Sequence, residues 1–250
     1  MLTAIVGVLL LFPQLIDSTN VVNQPVPDGT ELTSHERGDI FVARKMYREA
    51  VEAYQVALAE SPGNARLHNK LGISYHRMSM LGPAKRHYTQ ASALDRKYSE
   101  AMNNLGTIYL AERRYKRAQR TFENALKVTP DAATVYSNLG TALFSRRKYK
   151  DATKAYQKAL ELDPTIFESG SRGGTSLQNR SVEERAKYYY YLAQAFAESG
   201  QLDRSVIYLR RAIEEGYGRA RRADEDPKFR PLYEMPEFLA LVSPETAAVR

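Results

Sequence analysis

The chain has 250 residues, no cysteine and no tryptophan, and carries 36 Lys and Arg against 29 Asp and Glu, a net charge of +7. Without cysteine there can be no disulfide staple, zinc-thiolate site or thiol nucleophile. The charge is unevenly placed: residues 65–166 hold 19 basic side chains against 8 acidic ones, so the remainder of the chain is net acidic.

Residues 1–16 begin with an apolar run, Leu2 to Leu11, extended by Phe12, Leu15 and Ile16. The run is short for a membrane span, which needs about 20 apolar residues, and has the length of the apolar core of a secretory leader. No Lys or Arg precedes Arg37, and no small-x-small cleavage site comes after the run. The expectation is an exported or membrane-associated protein, periplasmic or otherwise extracytoplasmic, with a misassigned start as one account of the missing basic leader. The alternative is an apolar segment packed on the unit that begins at residue 31, in a cytoplasmic protein. Residues 17–30, rich in Asn, Pro, Val and Gly, read as a flexible spacer.

From residue 31 a period of 34 governs the chain. Gly38, Gly72, Gly106 and Gly140 recur at that spacing, and so do Ala50, Ala84, Ala118 and Ala152. Tyr54, Tyr88, Phe122 and Tyr156 supply a ring in every unit, and Ala57, Ala91, Ala125 and Ala159 a small residue after it; Pro62, Pro130 and Pro164 close three units. Such self-similarity marks a solenoid of helix pairs, in which each unit is too small to bury its own apolar stripe and stacks on its neighbours. Two helices cross closely where small side chains meet, so Gly is expected to face Ala with the ring beside the crossing. The units span 31–64, 65–98, 99–132 and 133–166.

Residues 167–185 interrupt the register with a Gly/Ser-rich insertion. It lacks the Lys and the preceding strand of a phosphate-cradling loop and reads as a surface loop. Asn179-Arg180-Ser181 within it fits a glycosylation acceptor pattern, relevant only in a compartment that performs that modification. Residues 186–219 form a fifth, degenerate unit in which Tyr189, Leu192, Ala193, Phe196, Ser205, Leu209 and Ala212 keep the helix-pair pattern with Ala for Gly and Ser for Ala. The run Tyr188 to Tyr191 covers more than half of a helix circumference, so at least one ring is expected on an open wall. Residues 220–250 carry Asp226-Pro227, a helix start, with Phe229, Leu232, Phe238, Leu239 and Val242 as the apolar face of a capping segment.

The third unit, with Met102, Leu105, Gly106, Tyr109, Ala118, Phe122, Ala125 and Pro130, resembles the tetratricopeptide repeat family. The fourth unit matches nearly as well; the second has Arg96 where Pro is usual, and the first has Ser34 and Arg37 where bulky apolar residues sit. The resemblance implies an all-α solenoid: a right-handed superhelix of antiparallel helix pairs whose first helices form a concave inner wall that holds a peptide or a partner's helix. The final segment is similar to the closing segment of many bacterial members. Function on this fold is a separate question.

By repeat geometry the candidate peptide-binding residues are Asn69, Lys70, Ile73 and Arg77; Asn103, Asn104 and Thr107; Asn138, Thr141 and Phe144; and Tyr190 and Tyr191. Asn104 and Asn138 hold equivalent sites, and a row of carboxamides can pair with any peptide backbone. Asn is also common on such helices, which is the plainer account. The family's carboxylate clamp finds only one match among its five sites, Asn69, Ile73, Asn104, Thr134 and Asn138, and is set aside.

A second pattern is a basic edge around the inter-helix turns. Arg44, Lys45 and Arg48 flank the first turn, Arg113, Arg114, Lys116 and Arg117 the third, and Arg146, Arg147, Lys148 and Lys150 the fourth. It could meet an anionic membrane surface or an acidic protein, or else only solubilise the chain; with no recognised binding module beside it, nucleic acid is not expected. The four histidines, His35, His68, His76 and His87, form no ligand spacing, and no nucleophile elbow or carboxylate pair stands out. The reading is a non-enzymatic binding scaffold without metal or cofactor; the alternative is an electrostatic adaptor using the basic edge.

Overall fold

The structure, a computed structural model, describes residues 32–168 and 181–242. The expectations placed on residues 1–31, on most of the insertion and on the last eight residues fall outside them.

The described chain is a stack of antiparallel helix pairs: α1 Ser34–Ala43 with α2 Tyr47–Glu60, α3 Ala65–Arg77 with α4 Leu81–Leu94, and α5 Ser99–Ala111 with α6 Tyr115–Val128. Next come α7 Ala133–Ser145 with α8 Tyr149–Leu162, and α9 Val182–Glu198 with α10 Leu202–Glu214. Each helix packs on the next one in the chain, and α5 also touches α7, so the core runs continuously along the stack. The 3-10 segments Gly218–Glu225 and Pro227–Leu232 and the short α11 Pro236–Val242 close the C-terminal end.

The ladders read in the sequence become the core. Ala50, Ala84, Ala118 and Ala152 are fully buried, as are Tyr88, Phe122 and Tyr156. The close approach differs from expectation in one respect: the repeat glycine faces the ring, not the alanine. A Cβ built on Gly38, Gly72, Gly106 or Gly140 would lie 2.3, 2.5, 2.4 or 2.4 Å from a ring carbon of Tyr54, Tyr88, Phe122 or Tyr156. The flat ring slides over bare backbone, a contact that any side chain would forbid.

Each inter-helix turn is built alike. Lys45, Ser79, Arg113 and Arg147 adopt left-handed backbone at φ 60°, 61°, 57° and 60°. The residue after each donates back to a helix carbonyl, Met46 to Phe41 at 2.8 Å and Lys148 to Leu143 at 2.9 Å, the two-bond cap that ends a helix sharply. Proline is not needed at the end of a pair. The second pair ends at Leu94 without one, and Asp95 takes over by accepting from the Lys97 N–H at 2.8 Å.

The fifth pair departs from its predicted limits. Its first helix begins at Val182, one turn before Ala186, because Ser181 caps it by accepting from the Glu184 N–H at 3.2 Å and Glu183 and Glu184 occupy the favourable first turn. The four tyrosines separate by direction. Tyr188 buries against Phe144 and Tyr156 of the fourth pair, and Tyr190 against Phe229 of the C-terminal segment. Tyr189 meets Tyr208, and Tyr191 stacks on Tyr149. That segment packs on both α9 and α10, with Phe229, Leu232 and Phe238 fully buried, whereas Leu239 is about half exposed and Val242 only partly covered. Asp226 opens it as expected, accepting from the Lys228 N–H at 3.2 Å.

Candidate functional site

The amides expected to greet a peptide are instead joined between layers. Asn69 is buried: its Nδ2 donates to the Tyr98 hydroxyl and to Glu100 Oε1, each at 3.0 Å, and its Oδ1 accepts from Asn104 Nδ2 at 3.0 Å. One unit on, Asn138 Nδ2 donates to Asn103 Oδ1 at 2.9 Å, and Asn138 is itself buried. The row exists, but it links α3 to α5 and α5 to α7. A buried carboxamide must find partners or lose stability, and here the next layer supplies them.

The other candidates divide in the same way. Lys70 pairs with Asp39 at 2.6 Å and donates to His35 Nε2 at 2.6 Å, which ties α3 to α1. Burial alone would raise Asp39, but hydrogen bonds from Lys70 and Tyr54 outweigh it and hold its carboxyl below the usual range. Thr141 is buried and donates to the Ser137 carbonyl, and Phe144 lies among Tyr149, Tyr188 and Tyr191. Tyr190 is not on an open wall: it is fully buried and donates to Asp226 at 2.5 Å, with Gln194 donating to the same oxygen at 2.8 Å. The C-terminal segment therefore covers the inner face of α9. What stays open on the first helices is Arg77, exposed, and Ile73, Asn103, Asn104 and Thr107, half-buried.

The basic edge is exposed except at Arg146, which is half-buried and donates to Gln119. Arg114 pairs with Glu112 at 3.3 Å and Lys148 with Asp151 at 3.9 Å. Among the described residues, Arg44, Lys45, Arg48, Arg113, Lys116, Arg117, Arg147 and Lys150 form no ion pair.

A cavity lies where this edge meets α9. It has a volume of about 640 Å³ and runs between the α7–α8 turn, the Tyr191 and Gln194 face of α9, and the C-terminal segment at Arg219, Asp226 and Lys228. Tyr149 and Tyr191 stack in it, 4.6 Å between centroids and 6° between planes. Burial, then the neighbouring Tyr217, pushes the Tyr191 hydroxyl up to about 12. The sequence marked the turn and the tyrosine separately. Their meeting depends on the placement of α9 after the insertion and on the return of the tail, which the repeat period does not encode.

A further pair escaped the sequence reading. His68 Nδ1 and His87 Nδ1 lie 3.1 Å apart, and Tyr75 stacks on His87. Their separation of 19 residues joins a site on the first helix of a pair to one on the second, a contact visible only once the two helices of that pair are packed together. Burial first, then the charges of His68 and Arg86, holds His87 down at about 4. Among the described residues no three potential metal-ligating side chains converge.

Three models of the tetratricopeptide repeat match the chain, over residues 38–79, 103–165 and 186–215, together more than half of it. No curated protein matches. Among solved structures, the crystal structure of MamA is similar at 22% identity, covering 73% of this chain and 96% of that one with a TM-score of 0.52. MamA from Desulfovibrio magneticus RS-1 is similar at 18% identity, 72% and 91% coverage and a TM-score of 0.51. TTC0263, a thermophilic TPR protein of Thermus thermophilus, is similar at 18% identity, 76% and 96% coverage and a TM-score of 0.51. At these identities the likeness is one of fold.

Proposed function

The chain belongs to the tetratricopeptide repeat family, an all-α solenoid, and from that premise we propose that it is a non-catalytic scaffold holding a protein or peptide segment along the inner wall formed by α1, α3, α5 and α7. One observation carries this reading. Among the described residues, α1, α3, α5 and α7 make their main contacts with their neighbours in the stack, and the C-terminal segment has its main contacts with α9 and α10. An extended segment laid along that wall would meet Ile73 and Arg77 on α3 and Asn103, Asn104 and Thr107 on α5. Shape and a few anchors would then set affinity, not a full amide ladder, because the buried amides already have partners.

The experiment is capture from the native host by the full chain and by an Ile73→Glu, Thr107→Glu variant. A specific partner lost at least tenfold with the variant is the expected result. A partner retained equally by both would overturn the groove. Asn104→Ala and Asn138→Ala do not serve here, since both would loosen the stack itself.

The cations of the turn edge, most of them exposed and without an ion pair, favour a second reading, an adaptor for anionic surfaces. It predicts binding that falls steeply with salt and disappears on reversing Arg113, Arg114, Arg146 and Arg147. The proposal also places the protein outside the cytoplasm or at a membrane, on the strength of the apolar run at residues 2–11. No described helix is long and apolar enough to cross a membrane, so fractionation of the native host is the check.

A further inference from the structure

We propose that the cavity between the α7–α8 turn, α9 and the C-terminal segment is an anchoring site for an acidic peptide segment of the partner. The inference rests on the groove reading above and adds to it the chemistry of one end of the ligand.

The walls are cationic on both sides. Arg147, Lys148 and Lys150 come from the turn, and Arg219 and Lys228 from the tail. Two acids share the cavity, and both have partners already. Asp151 lies 3.9 Å from Lys148, and Asp226 accepts from Tyr190, Gln194 and the Lys228 backbone. Lys228 pairs with Glu198 at 2.9 Å. Arg147, Lys150 and Arg219 have no ion pair among the described residues, and all three are exposed. Three cations without an ion pair around one concavity, of which Arg219 also lies 6.0 Å from the Tyr190 ring centroid, raise the local positive potential where charge-assisted hydrogen bonds to carboxylates are strongest.

The aromatic floor separates a peptide from other anions. Tyr149 has Tyr191 stacked on one face, and the Lys187 ammonium lies 5.0 Å from its centroid. Tyr191 has the edges of Tyr190 and Phe144 against it. These contacts occupy the rings, so there is no free platform for the base stacking that single-stranded nucleic acid uses. What the floor offers is apolar ring edge for an aliphatic or aromatic side chain, while the cations around it offer the donors for a carboxylate. A recess of about 640 Å³ also suits a few side chains better than a flat lipid surface does.

The turn supplies a further sign. Arg147 sits at φ 60°, where glycine would be unstrained and any other side chain costs backbone energy. Removing it should therefore help the fold and harm the site.

The test uses the full chain and a fluorescein-labelled octa-glutamate at low salt, with a neutral Ser/Gly octamer, an oligo-thymidylate and phosphatidylserine vesicles as the other occupants. Octa-glutamate is expected to bind more tightly than the other three. The Arg147→Glu, Arg219→Glu variant should weaken it at least tenfold, and Arg44→Glu, Arg48→Glu at the far end of the stack less than twofold. Arg147→Gly should weaken it several-fold while melting at a higher temperature, an outcome that misfolding cannot produce. Equal binding of the neutral octamer, equal loss with the far-end variant, or tighter binding of the nucleic acid or vesicle would overturn the proposal. The captured partner separates this inference from the groove. Loss with Ile73→Glu, Thr107→Glu but not with the Arg147, Arg219 variant leaves the groove standing and removes the acidic anchor; retention by both variants removes both.

Discussion

The first four helix pairs and the fifth solve the same packing problem with different residues. In the first four, a glycine on the leading helix admits a ring from the second helix, at a distance no Cβ could share. In the fifth, Ala193 stands where the glycine would be and Leu209 where the ring would be, and both are fully buried. The two changes compensate, since a narrower side chain leaves room for a methyl group. Ser205 replaces the repeat alanine there, and its hydroxyl donates to the Ala193 carbonyl at 2.8 Å. At the turn, Gly200 with φ 78° takes the place held by Lys45, Ser79, Arg113 and Arg147. The fifth pair is thus locally less strained, and three of the first four keep a charge where glycine would be unstrained.

If the pairing of small residue and ring is what matters, breaking one half of it is the largest perturbation. Gly106→Ala should destabilise the fold by about 2–3 kcal/mol, from overpacking against Phe122. Urea unfolding of Gly106→Ala, Phe122→Leu, which copies the fifth pair, should show a loss at least about 1 kcal/mol smaller than the sum of the single losses. Simple additivity would mean that the ring and the glycine do not meet as described.

Acid should discriminate between the same two regions. All four histidines lie at or before residue 87, and none lies in the fifth pair. His87 titrates at about 4 when folded, against 6.5 for a free imidazole. The unfolded chain therefore binds the proton first, and stability is lost as pH falls from about 6.5 towards 4. With partial exposure screening the effect, the loss is about 1 kcal/mol. Hydrogen exchange across that window should rise first in α3 and α4, and His87→Gln should flatten the profile. A uniform rise along the stack would contradict the assignment.

The smallest effect is at the turns. Arg113→Gly should stabilise by about 0.5–1 kcal/mol, and Gly200→Ala should cost a similar amount. Thermal melts that move the other way at either site would show that the turn backbone is not left-handed there.

The repeat register, the helix pairs and the buried ladders were legible because each is a local residue choice made four times over. The direction of the side chains was not. Asn69, Asn104, Asn103 and Asn138 were placed on the correct helices, but whether an amide points to solvent or to the next layer depends on the offset between layers, which a single repeat does not carry. Tyr190 failed for a different reason. Its cover is the tail, far later in the chain, and no periodicity links the two. The cavity beside Tyr149 and Tyr191 went unread for the same cause, since three segments with no common repeat position assemble it.

Hydrogen exchange on the complex with the captured partner tests the central claim most directly. The account predicts new protection on α3, α5 and α7 and at the α7–α8 turn, with α2, α4 and α6 unchanged. Protection confined to those second helices, or none along the inner wall, would contradict it.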